Sequence, residues 1–105
     1  MLDGIFYQGT TPTHYFDLPY TEEQISNLTI TYSQNGEIII KKQKEECEFI
    51  TNNRLAVRLS QSDTFSFNVG SDVTVQIKLS TIDGEVRASD EYRLGVRRTL
   101  DTEVI

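Results

Sequence analysis

The sequence predicts an all-β domain: a two-layer antiparallel β-sandwich of about seven strands, Ig-like in architecture and without a disulfide. Three observations carry this. Apolar and polar residues alternate at period two, as in LTITYS at 28–33 and VTVQIKL at 73–79. Asn35-Gly36 and Asp83-Gly84 each separate two such runs, where a tight hairpin needs residues that tolerate positive φ. Cys47 is the one cysteine, so no internal bridge can form. The 105 residues read as a single domain, with 1–11 as an N-terminal arm and 98–105 as an extended C-terminal tail.

Residues 14–18 read as the first strand, bracketed by Pro12 and Pro19, which suit strand ends and not a central ladder. Thr21 to Gln24 has capping-box spacing, so one helical turn follows, with Ile25 turned inward. Leu28, Ile30 and Tyr32 then form the buried side of a strand. The hairpin after it has two possible registers. A two-residue loop, 35–36, places a lysine opposite Ile30. A three-residue loop, 34–36, pairs Tyr32 with Ile38 and Ile30 with Ile40, which keeps the apolar set on one face. The pattern favours the three-residue loop and leaves Ile39 facing outward beside Lys41.

KKQKEECE at 41–48 reads as an edge strand or loop protected by charge. Cys47, Phe49 and Ile50 bring the chain back to the core. Leu55, Val57 and Leu59 alternate with polar neighbours in another strand. SQSD at 60–63 reads as a capped turn between the two sheets. The strand from Val73 enters the Asp83-Gly84 hairpin. A two-residue loop there pairs Leu79 with Ala88, Val75 with Tyr92 and Val73 with Leu94. Asp90 would then face the core, and a bulge at 89–91 turns it to water.

Net charge is −6, from sixteen acids and ten bases. That balance opposes nucleic-acid binding, which depends on neutralising phosphates. No apolar run approaches the roughly 20 residues of a membrane span. Residues 1–20 lack the basic start and apolar core of a secretory signal, and a lone cysteine suits a reducing compartment. His14 is the only histidine and has no local nucleophile or acid motif, so a surface or strand-end imidazole is expected. Cys47, between Glu46 and Glu48, is expected to be a packed thiol with a raised pKa. One Cys and one His do not make a usual zinc site. No catalytic residue, metal or cofactor is therefore expected. Tyr7, Tyr15 and Tyr20 crowd the N-terminal segment, so a carbohydrate-binding module is the alternative reading, with core or interface packing as the plainer role.

Five stretches in the same order, GTTPTHYFDLP, ITYSQNGEIII, LSQSDTFSF, VQIKLSTIDGEVRAS and LDTEVI, resemble a group of small uncharacterised proteins of phages and prophages of Gram-positive bacteria. The part from Thr64 to Ser89 also resembles the N-terminal β-sandwich module of phage baseplate upper proteins. The resemblance implies a structural or accessory role in the virion or its assembly, in the cytoplasm of the bacterial host. It implies other phage structural proteins as partners, with a homo-oligomer possible, and supplies no catalytic residues. Phe6, Tyr7, Tyr15, Tyr20 and Ile39 are the expected protein contacts, through strand edges, the arm and the tail.

Overall fold

Alternation and turn chemistry produce two sheets in the computed structural model, which describes residues 2–105. In chain order the strands are β1 (Gly4–Tyr7), β2 (Thr13–Asp17), β3 (Ile25–Gln34), β4 (Glu37–Gln43), β5 (Glu48–Phe49), β6 (Arg54–Arg58), β7 (Val73–Thr81), β8 (Val86–Ala88) and β9 (Tyr92–Arg97). One short helix, α1 (Gln61–Phe65), links β6 to β7, and 3-10 turns occupy Glu22–Gln24 and Lys44–Glu46. The larger sheet runs β1-β9-β7-β3-β4, with β8 also on β7, and the smaller runs β2-β6-β5. They pack face to face as an Ig-like sandwich.

The core lies between the sheets. Leu28, Ile30 and Tyr32 of β3 and Val73, Val75 and Ile77 of β7 meet Phe16, Leu55 and Val57 of the smaller sheet. Phe67 plugs one end, with its ring 5.5 Å from that of Phe6. Both capped turns form as their sequences require. Thr21 N–H donates to Gln24 Oε1 at 2.9 Å, and the Ser60–Asp63 box starts α1.

The N-terminal segment departs from the expected arm. Gly4–Tyr7 is an edge strand, and it runs parallel to β9, so the larger sheet is mixed and not purely antiparallel. Phe6 is the inward residue of this strand and only 3% exposed. The chain reaches β2 through a turn at Gly9, whose φ is +75°. A Cβ there would lie 2.6 Å from Cζ of Phe65, so both the turn and the packing require glycine.

The two hairpins exchange the expected loop lengths. Asn35 (φ 53°) and Gly36 (φ 78°) close a two-residue loop of type I′ between the paired Gln34 and Glu37. A bulge between the Tyr32 and Ser33 pairings then shifts the register, so Tyr32 faces Ile40 and Ile30 faces Lys42. Ile39, at the bulge, packs against the core, and Ile38 is the isoleucine turned to solvent, 61% exposed. The lysine on the apolar face is accommodated by Asp63 of α1, 3.0 Å from Lys42 Nζ. Asp63 is held below the usual carboxylate range by hydrogen bonds from Ser60 and Lys42 and by the lysine charge, against the opposing effect of burial.

At the second hairpin Thr81 N–H reaches Glu85 O at 2.8 Å, which leaves a three-residue loop ending in Gly84. Leu79 therefore faces Arg87 and not Ala88, while Val75–Tyr92 and Val73–Leu94 pair as expected. The irregularity at 89–91 is present, and Asp90 is exposed. Ser89 bridges it, its N–H donating to Ile77 O at 2.8 Å and its Oγ accepting from Ile77 N–H at 3.0 Å.

Candidate functional site

β1 is the terminal strand of the larger sheet and β2 the terminal strand of the smaller one. The short 8–12 connection keeps these two open edges on one side of the sandwich. Between them runs a cleft of about 480 Å3, lined by Asp3, Gly4 and Ile5 on one wall and Thr13 to Phe16 on the other. Arg54, Tyr92 and Leu94 complete it.

Alternation places each side chain. On β2, His14 and Phe16 point inward, so Tyr15 stands outside, 52% exposed at the lip. Its ring lies 5.0 Å beneath the Arg54 guanidinium, which also approaches Asp17 at 3.9 Å. Phe16 and Tyr92 meet with their rings tilted at 58° and 5.2 Å between centroids. Ile5, 52% exposed, borders the opposite lip, its side chain on the outer face of the larger sheet beside Gly95, the same face as Tyr7.

His14 stands near the start of β2, as a strand-end imidazole would, but it is half-buried and not at the surface. Its Nδ1 lies 2.8 Å from Tyr32 Oη, and its ring meets Phe6 edge-on at 5.8 Å. The bond crosses from the smaller sheet to the larger. Burial lowers the His14 pKa from its usual 6.5. Burial also raises that of Tyr32, helped by the nearby Cys47 and Asp63. Neutral imidazole and protonated phenol are thus the favoured forms of the pair.

This shift has a testable sign. The unfolded chain takes up a proton near pH 6.5, while the folded chain resists it to lower pH. Stability is therefore full above about pH 7 and falls as pH drops below about 6.5, levelling only below the folded pKa. Urea midpoints at about pH 7.5 and about pH 5 should differ for the native chain. The difference should shrink in His14→Gln, because Asp63 titrates in a more acidic range.

The Cys47 thiol is pushed up to about 11, by burial first and then by Glu46 and Glu45, against the opposing charge of Lys42. Its Sγ donates to Gln43 O at 3.3 Å, and it packs against the core. The thiol form dominates near neutral pH, which opposes nucleophilic use. Among the described residues, no group of three or more His, Cys, Asp or Glu side chains is placed to hold a metal ion.

Of the five residues expected as contacts, only Tyr15 lines the cleft. Phe6 is core. Tyr7 is exposed, but on the outer face of the larger sheet. Tyr20 is half-buried against the core, as is Ile39. Ile5, Arg54 and Tyr92 were missed. Alternation in GIFY at 4–7 carries the signal for Ile5, while Arg54 and Tyr92 are brought in by pairing between distant strands.

No family model matches the chain, and no curated protein matches it. Solved structures do resemble it. The extracellular domain of mouse leukocyte-associated immunoglobulin-like receptor 1, a strand-swapped dimer, superposes with a TM-score of 0.50 at 11% identity, over 90% of this chain and 86% of that one. A second structure of that receptor's Ig-like domain gives 0.48 at 13% identity, over 89% and 85%. The V domain of amphioxus IgVJ-C2 gives 0.37 at 14%, over 89% and 97%. At such identities the likeness is one of fold, and the first of these places the chain among Ig-like sandwiches. Among the described residues no helix is long and apolar enough to cross a membrane.

Proposed function

We propose that this chain is a protein-docking module that holds an extended segment of a partner in the cleft between β1 and β2. We further propose that it serves as a structural or accessory component of a phage, in the virion or during assembly in the bacterial host. One observation supports the docking reading above others: two unpaired strand edges border a single cleft, with Ile5 and Tyr15 exposed at its opposite rims, each on the outer face of its own sheet. Strand edges supply main-chain hydrogen bonds to an extended segment, and flanking side chains select it. The ordered set of five sequence stretches supports the phage role.

The carbohydrate alternative draws no such support. Tyr7 and Tyr15 lie on opposite outer faces and Tyr20 is half-buried, so the three make no common stacking platform.

A photo-reactive residue at Ile5 or Tyr15, introduced in the lysogen that encodes the chain, tests the reading. After induction, both positions should capture one virion or assembly protein, and a probe at Ile82, remote in the β7–β8 loop, should not. Equal capture at all three positions, or none at 5 and 15, would overturn the cleft assignment.

A further inference from the structure

The chain is acidic as a whole, yet its charges are sorted by surface. On the larger sheet, side chains that alternate with the buried set point away from the core. The charged ones among them are Lys41, Lys78, Arg93 and Arg97, and no strand residue on that face is an acid. The other outward positions of β3 and β7 are asparagine, threonine, serine and glutamine, while exposed Ile38, Val86, Ile5 and Tyr7 stand on the same face on β4, β8 and β1. Carboxylates appear only at its borders: Asp72 pairs with Arg93 at 2.8 Å, and Glu91 approaches from the β8–β9 connection. Lys41, Lys78 and Arg97 make no ion pair among the described residues.

Five of the sixteen acids, Glu22, Glu23, Glu45, Glu46 and Glu48, belong to the two 3-10 turns and the start of β5. Glu22 of the first turn and Glu45 of the second line one recess, and Glu23, Glu46 and Glu48 adjoin them along the chain. Lys44 lies among them, but its Nζ is engaged with Ile25 O at 2.8 Å. No ion pair joins these acids to the basic face within one copy.

We propose that the outer face of the larger sheet is the docking surface for the acidic turns of a second copy of this chain. Two copies of like net charge repel unless they are oriented, and this orientation sets opposite charges together. The contact joins two different patches, so it is head-to-tail. It closes into a ring if the rotation between copies closes, and otherwise propagates as a filament. Lys41 on β4 and Lys78 on β7 lie apart from the residues lining the β1–β2 cleft, so either assignment can fail without the other.

Sedimentation velocity on the full chain tests it. At about 0.01 M salt, where charge is felt over about 30 Å, the mass should rise at least twofold above the monomer; at about 1 M, where the range is about 3 Å, it should return to the monomer. K41E/K78E and E45K/E48K should each be monomeric at low salt. An equimolar mixture of the two should assemble again, because each supplies the charge the other lacks. A native chain that is monomeric at low salt would overturn the proposal. So would assembly that persists in K41E/K78E, or a mixture that stays monomeric. Unchanged circular dichroism of the variants separates these results from misfolding.

Discussion

Tyr32→Ala should lower stability by about 3–5 kcal/mol, the range for removing a large buried aromatic. Tyr32 is fully buried on β3, beside Phe67 and the His14 ring. The truncation opens a cavity and also strips His14 Nδ1 of its partner. Tyr32→Phe isolates the second effect, because the ring stays and only Oη is lost. It should cost about 1–3 kcal/mol, the penalty for an unpaired buried polar atom. Equilibrium urea unfolding of the two variants separates packing from the hydrogen bond. Equal losses would mean the bond dominates; no loss in Tyr32→Phe would mean that it contributes nothing. Against a typical domain stability of about 5–15 kcal/mol, the alanine variant sits close to unfolding.

Gln34→Leu should cost about 2–4 kcal/mol, with the damage centred on the 66–72 loop. Gln34 is 3% exposed at the end of β3 and acts as a clamp. Its Nε2 donates to Asn68 O at 2.7 Å and to Ser71 O at 2.9 Å, while its Oε1 accepts from Asn68 N–H at 2.8 Å. Leucine fills the volume but leaves two carbonyls and one N–H without partners. Water reaches part of this loop, since Asn68 itself is exposed, so the loss stays below the full cost of three orphaned groups. Amide exchange should quicken at Asn68, whose N–H loses its acceptor, while the β3–β7 ladder stays protected until global unfolding. Uniform loss of protection would show instead that the clamp supports the whole fold.

The strongest strands were legible because their alternation is long. β3 and β7 needed nothing beyond period two, and the capped turns at Thr21 and Ser60 needed only side chains at the right offset. The hairpin registers were harder. Lys41 opposite Ile30 argued against a two-residue loop at Asn35-Gly36, but the bulge puts Lys42 there instead, and Asp63, twenty-one residues further on, neutralises it. The bulge also turns Ile39 inward, so three successive isoleucines end with one in solvent and two against the core. Nothing within the hairpin itself signals either compensation. β1 was missed because it is four residues long and its partner, β9, lies almost ninety residues away. The cleft was missed for the same reason, since it exists only once β1 is a strand. His14 could not be assigned because Tyr32 lies on the other sheet, and no spacing rule links the two.

The link between His14 and Tyr32 joins the two sheets by a hydrogen bond, whereas antibody domains join theirs by a disulfide packed on a tryptophan. Its failure mode is therefore different. A thiol reductant that would open a sulfur bridge leaves an imidazole–phenol bond untouched, and an oxidant has no second cysteine to recruit. Proton concentration is the agent that acts on it. A sandwich tied in this way holds its two layers together equally well in reducing and oxidising surroundings, and loosens on acidification.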